Sequence, residues 1–428
     1  MNLFVATIKI KKPTANRFLF GLFTFILAFS VTAKEAKEFE SAIYLNDAVS
    51  MTLANHPELR AFLLRNDMQQ GQVQQAAIGE PSQINLTVED ALGVGDHSAL
   101  SNMQTTLTFS WLLQQEQING RVNTAKTEIE QLAVEQQIVS FDLAATTAKQ
   151  FIQILVKQER LKLNQMAMLQ AKEVLKALSE RVNAGKGSNI DVRMAEVEIV
   201  RMALAVEDTV HDLKASQYQL SSLWGQAGST FRVNGDLLAL PKLSNLEYEL
   251  NKLKQSPHIL QFVTATRIAQ SQLELARIEA KSQWQFSAGL RRYEATDDFG
   301  LVAEVSIPLG TDNRNAGNIA TLKAKQDVLA FEQASLMQKL DSQLYVLLQE
   351  MAHARHVIDT FQQDIIPTLD ITLKEAVIAF NVGQLSYSQW SDIRRELLNA
   401  QSELLNTYES LHLQHIEIQR LTGASISQ

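Results

Sequence analysis

The chain has 428 residues, 46% of them apolar and 20% charged, with 39 Lys+Arg against 47 Asp+Glu and a formal net charge of −8. That much apolar material excludes a disordered chain, and the acidic balance argues against gripping nucleic acid through phosphate contacts. The absence of Cys removes disulfides, Cys-ligated zinc, iron–sulfur clusters, thiol nucleophiles and a thioether lipid anchor together.

Residues 1–33 read as a secretory signal peptide. Lys9, Lys11, Lys12 and Arg17 form a positive leader, residues 18–29 are an apolar run, and Val31 and Ala33 place small residues around a cleavage site. Twelve apolar residues fall short of the ~20 that a membrane-spanning helix needs. Losing those four positive charges takes the formal charge from −8 to −12.

The remainder divides into two structural repeats, 34–226 and 227–428. Asn55-His56-Pro57-Glu58-Leu59 answers Gln255-Ser256-Pro257-His258-Ile259, and Gly120 answers Gly317. Asn183-Ala184-Gly185 answers Asn381-Val382-Gly383, and Leu223-Trp224-Gly225 answers Leu421-Thr422-Gly423. Four landmarks in one order at a period near 200 mark a duplicated unit.

Each unit is predicted as helix, β-hairpin, very long helix, tight turn and helix. In the first, the hairpin spans 83–111: Ile84, Leu86 and Val88 alternate with polar neighbours, as do Leu107, Phe109 and Trp111. No Gly or Pro follows between Arg121 and Ala184, so one long helix is expected, turning at a tip near 183–187. Beyond the tip, Val192, Ile199, Val206, Leu213 and Leu220 recur every seven residues, with smaller side chains at Ala195 and Met202. That is a coiled-coil seam with close backbones.

The second unit repeats the plan. Its hairpin spans 283–309, with Trp284, Phe286, Ala288 and Leu290, then Leu301, Ala303, Val305 and Ile307, on the apolar face. Its long helix meets Pro367, which should kink it or end a segment. Its tip lies near 381–385, and its heptad runs through Trp390, Leu397, Leu404, Leu411 and Ile418. The predicted fold class is mainly α with β: long coiled helices forming a helical barrel, plus four strands.

Strands of about ten residues with one apolar face suit a transmembrane β-barrel, for which Trp111 and Trp284 would supply girdle aromatics. Four strands cannot close a barrel, and open edges cannot face lipid. Several copies are therefore needed, and a trimer with twelve strands is the smallest assembly with a lumen. The alternative is a periplasmic helical scaffold with a soluble sheet.

The residues themselves resemble the TolC family of outer-membrane efflux ducts across about residues 42–423. Leu45-Asn46-Asp47-Ala48-Val49, followed by Asn55-His56-Pro57-Glu58-Leu59, looks like the family's opening. Glu80-Pro81, Leu86 to Asp90, and Arg181-Val182-Asn183-Ala184-Gly185-Lys186 resemble the branch that serves cobalt–zinc–cadmium pumps. Ile307-Pro308-Leu309 and Asp312-Asn313-Arg314-Asn315-Ala316-Gly317-Asn318-Ile319 do the same. The chain departs from that branch at Gln117-Ile118-Asn119-Gly120-Arg121, where relatives carry Gly-Gly-Lys-Arg.

The resemblance implies a homotrimer in outer-membrane lipid whose helical tube projects into the periplasm. It would meet a periplasmic adaptor and an inner-membrane pump of the resistance-nodulation-division type. The duct would pass heavy-metal cations, or in the alternative drugs or secreted polypeptide, and would catalyse nothing. Adaptor docking is expected at Asn183, Gly185 and Lys186 and at Asn381, Val382 and Gly383. The family's constriction maps onto Asp392, which would form a carboxylate ring, and Gln389, where a second acid is replaced. Asp191 matches a gate residue whose usual Arg partner is replaced by Leu385, so closure would rest on packing around Tyr387 and Trp390.

No cofactor or resident metal is expected. The pairs His353/His356 and His412/His415 lack a third ligand and read as polar surface. Gly185-Lys186-Gly187-Ser188 fails as a phosphate loop, because Glu180 stands where Gly is required and no strand precedes it.

Overall fold

A computed structural model describes residues 42–228, 231–310 and 314–426. The predicted signal peptide, together with Asp312 and Asn313, lies outside the described residues.

Strand β1 (Ala42–Ile43) leads into helices α1 (Leu45–Asn55) and α2 (Pro57–Ala76). Pro57 opens α2 where a missing N–H costs nothing, and His56 Nδ1 accepts the Glu58 amide. Strands β2 (Gln83–Glu89) and β3 (Gln104–Leu112) follow, then α3 (Gln115–Asn183), 69 residues without a break. At 1.5 Å per residue α3 reaches about 100 Å. Helix α4 (Asn189–Ser222) runs back along it.

The later elements are β4 (Arg232–Val233), α5 (Leu246–Leu253), α6 (Pro257–Glu279), β5 (Gln285–Tyr293) and β6 (Asp298–Ser306). Then come α7 (Ala316–Thr360), α8 (Ile366–Asn381) and α9 (Tyr387–Thr422). Pro367 stands in the first turn of α8, where the long helix changes segment. A π-helical turn at Phe361–Ile365 widens the ladder just before it, so the carbonyl that a proline cannot satisfy is absorbed by the wider turn. Asp298 is the first residue of β6.

The core lies midway along the long helices. Phe151, Ile154 and Leu155 of α3 pack there with Leu344, Met351 and Ile358 of α7 and Tyr408, Leu411 and Leu421 of α9. Each large apolar side chain removed from water stabilises this belt by about 1.5–3 kcal/mol. The β1–β4 parallel pair is tied into the same belt. The heptad predicted for α9 is its inner face: Trp390, Leu397, Leu411 and Ile418 are buried and Leu404 half-buried. On α4 the predicted heptad is fully buried only at its last residue, Leu220, and over the rest of the helix the smaller side chains go deeper. Ala195, Thr209 and Ser216, spaced by seven or fourteen, are buried, whereas Val192, Ile199, Val206 and Leu213 are half-buried. Small residues let α4 approach α3 closely.

The four long strands form one antiparallel sheet in the order β2-β3-β5-β6. Its register puts Ile84 opposite Phe109, Leu86 opposite Leu107, Leu107 opposite Leu290 and Leu290 opposite Leu301, so one face is mostly apolar, with Thr105 and Arg292 paired near one end of it. The other face carries Asn85, Thr106, Ser110 and Arg291.

Candidate constriction and docking tips

Both tips are built by the same backbone device. In the first, Gly185 adopts φ 70°, its N–H bonds to Val182 O and the Lys186 N–H to Arg181 O. In the second, Gly383 adopts φ 82°, its N–H bonds to Phe380 O and the Gln384 N–H to Ala379 O. Each is the paired-bond helix stop that needs a left-handed residue, which is why Gly stands there. Each following helix is capped by serine: Ser188 Oγ accepts the Ile190 amide, and Ser386 Oγ accepts the Gln389 amide. Asn183, Gly185, Lys186, Asn381, Val382 and Gly383 are all exposed, and Val382 places an apolar side chain on open surface.

The tips are joined to each other. Arg181 donates from Nη1 to Phe380 O at 3.0 Å, and its guanidinium lies 4.6 Å over the Phe380 ring. Behind them a small core gathers Leu178 of α3, Ala195 of α4, Ala376 of α8 and Tyr387 and Trp390 of α9, with Leu385 packed against it. The Trp390 ring sits 6.0 Å from Phe380 and 5.9 Å from Tyr387.

The candidate constriction residues divide between this core and the surface. Leu385, Tyr387 and Trp390 belong to the packing, and half-buried Asp191 lies beside them. Burial raises the Tyr387 phenol above its usual range, the Glu198 and Asp191 carboxylates add to that, and Arg394 and a Ser391 hydrogen bond oppose it. Gln389 has a structural task that its constriction assignment did not foresee. Its Oε1 accepts the Ser386 amide at 3.1 Å and completes a capping box at the start of α9. Asp392 is exposed but not free, since its carboxylate lies 3.3 Å from Arg395 Nη1 one turn on. The carboxylate ring expected from the resemblance would therefore carry its own countercharge.

Sequence reasoning missed Arg394 and Glu198. Arg394 is only 4% exposed, its Nη2 lies 3.7 Å from Glu198 Oε1 on α4, and its guanidinium stands 5.3 Å over Trp390. Burial lowers its affinity for its proton. A signal was present: Arg394 falls four residues after Trp390 and three before Leu397, a cation inside an apolar stripe.

The histidines need a correction. His353 and His356 are surface residues, but His412 and His415 are half-buried and held below the usual imidazole range by burial. They line a cavity of about 820 Å³ in the central belt, with His412 Nε2 2.8 Å from Leu237 O. No group of three or more potential metal ligands occurs among the described residues.

The apolar sheet face is open. Leu301 is 89% exposed and Ile84 73%, whereas Thr106 and Ser110 on the polar face are 3% and 5% exposed. On the polar face Arg291 donates to Thr106 Oγ1, Gln104 Oε1 and Glu89 Oε2. Among the described residues no helix is long and apolar enough to cross a membrane.

Comparison with known proteins agrees with this architecture. Residues 48–226 match the model of the outer membrane efflux protein family. The chain is 25% identical over 392 residues to the cobalt-zinc-cadmium resistance protein CzcC of Cupriavidus metallidurans, covering 90% of this chain and 91% of that one. Its fold is similar to CusC, with TM-score 0.72 at 16% identity, covering 89% of this chain and 92% of CusC. It is similar also to the outer-membrane channel OprN, with TM-score 0.73 at 16% identity over 90% and 91% of the two chains. The outer membrane protein VceC of Vibrio cholerae aligns with TM-score 0.70 at 14% identity over 89% and 96%. With the sheet, the paired tips and the long helices in one arrangement, the chain is similar to the outer membrane efflux proteins over residues 48–226 and shares the fold of solved outer-membrane channels over about nine-tenths of its length.

Proposed function

We propose that this chain is the outer-membrane duct of a tripartite efflux assembly, a homotrimer that passes heavy-metal cations outward without catalysis. The observation that carries the reading is an inversion of exposure in the sheet: its apolar face is open on all four strands, while Thr106 and Ser110 on the polar side of the middle strand β3 are buried. A soluble sheet would do the reverse, while a strand facing lipid on one side and a lumen on the other requires this arrangement. Strands β2 and β6 leave unpaired edges, and a lipid setting needs those edges joined to further copies. Three copies bring twelve strands, enough for a lumen.

The helices support the same assembly. Ile190, Met194, Val197 and Leu204 form an exposed apolar stripe along α4, spaced like a coiled-coil seam, against which a neighbouring copy would pack. The tips at 183–187 and 381–385 would project into the periplasm and meet the adaptor, beyond which stands an inner-membrane pump of the resistance-nodulation-division type. Asp191, Leu385, Tyr387, Gln389, Trp390 and Asp392 would surround the narrowest point. Metal cations are favoured as cargo by the similarity to CzcC, a resistance protein for cobalt, zinc and cadmium. The matching order of elements in 34–226 and 227–428 supports a duplicated unit, and residues 1–33 would be cleaved on export.

Two measurements test this. Membranes washed in carbonate or urea should retain the protein as a cross-linkable trimer, and release by the wash would sink the duct. A deletion strain should become sensitive to cobalt, zinc and cadmium. Sensitivity confined to dyes, detergents and antibiotics would keep the duct and reject the metal cargo.

A further inference from the structure

Arg394 and Glu198 make the contact that joins α9 to α4 behind the tips by charge, and its geometry is poor. A buried ion pair stabilises only when its geometry is close and every remaining donor is satisfied. Here the closest approach is 3.7 Å, beyond a proper hydrogen bond. Arg394 Nε and Nη1 have no partner among the described residues, nor does Nε1 of Trp390 beneath them, although these atoms are shielded from solvent. The neighbouring Arg395 adds repulsion, and the favourable influence of Tyr387 and Glu198 does not offset the cost of burial.

We propose that the Arg394–Glu198 pair is a spring rather than a lock: it holds the tip in a packing that is locally disfavoured, so that the first turns of α9 separate from α4 ahead of the rest of the molecule. The inference goes beyond the transport reading and does not depend on what, if anything, passes through the tip. Two consequences of opposite sign follow. Removing only the countercharge leaves Arg394 buried without compensation and loosens the tip. Replacing both partners by apolar side chains of similar size removes the cost and tightens the tip beyond the natural protein.

The test is hydrogen–deuterium exchange on the purified full-length protein, following peptides that cover 387–400 of α9. Peptides covering 143–156 of α3 report whether the central belt stays folded. Glu198→Gln should raise exchange in 387–400 by about tenfold with 143–156 unchanged. The double variant Arg394→Met/Glu198→Leu should lower it about tenfold below the natural protein. Faster exchange in the double variant would make the pair a lock and overturn the proposal, as would unchanged exchange in Glu198→Gln. If Glu198→Gln also loosens 143–156, the sign of the change in the double variant decides.

Discussion

Two of the places where the molecule shields charge from solvent are built differently. In the central belt, Glu417 lies 2.6 Å from Lys149 and 2.7 Å from Arg420, whose other nitrogen reaches Asp142 at 2.8 Å. At the tip, Arg394 has one distant partner and two idle nitrogens. Burial pushes Glu417 up, but the hydrogen bonds from Arg420 and Lys149 outweigh it and hold the carboxyl at about 2. Arg420 is correspondingly raised by Glu417 and Asp142, whereas burial wins at Arg394 and lowers it. The same residue types therefore clamp α3 to α9 in the belt and strain α9 against α4 at the tip. Satisfaction of donors, not the presence of opposite charges, decides the sign.

The sharpest way to break this comparison is Arg420→Met, which leaves half-buried Glu417 with Lys149 as its one remaining cation and takes the partner from Asp142; it should cost about 3 kcal/mol in denaturant unfolding. A loss no larger than that of an exposed pair would erase the difference between the clusters. Next comes pH. The Glu417 carboxyl is depressed from 4.5 to about 2, so its contribution is complete above about pH 4.5 and disappears as pH falls toward 2. Melting temperature should fall across that window, and Glu417→Gln should flatten the fall while lowering stability at pH 7 by about 2 kcal/mol.

Smaller effects belong to the tips. Gly383→Ala forces an L side chain to φ 82° and should cost about 1.5 kcal/mol, read as faster exchange around 379–386. Ser386→Ala removes the cap of α9 and should cost about 1 kcal/mol; Gln389→Ala, which removes half of the capping box, should cost about 0.5 kcal/mol. If Gln389→Ala alters conductance without altering protection of the first turn, its role is in the lumen rather than the cap. The smallest change is Asp392→Asn. Exposed pairs such as Asp392–Arg395 are worth under about 1 kcal/mol, so unfolding should not move measurably. Cation selectivity in a planar bilayer should drop for Asp392→Asn and rise for Arg395→Gln if the ring carries its own countercharge.

Much of the fold was legible because it is periodic. Alternation in 84–88, 104–111, 284–290 and 301–307 located all four long strands, and the absence of Gly and Pro from 121–184 announced α3. Gly185 and Gly383 located both turns, since little else tolerates their backbone angles. The candidate site was less legible. Gln389 read as a missing acid at a constriction, but its amide faces Ser386, a local bond that spacing alone allowed and the resemblance obscured. His412 and His415 read as surface because their partners, on the stretch around Leu237 and on α5, are far away in sequence. Pro367 announced an irregularity, but whether a kink or a π-helical turn absorbed it depended on neighbours such as Tyr408, whose hydroxyl accepts a bond from Gln362.

Properties set within one or two turns of chain were thus determined by the sequence itself: where helices begin and stop, which strand face is apolar, and where the chain reverses. Local sterics and hydrogen bonding act over a few residues and need no partner from afar. Which charges are satisfied was decided only by the tertiary structure. Glu417 meets Lys149 and Arg420 meets Asp142 across more than 260 residues, and Arg394 meets Glu198 across nearly 200. A buried charge is stabilising or straining according to tenths of an ångström in such approaches, and those distances are set by how whole helices pack.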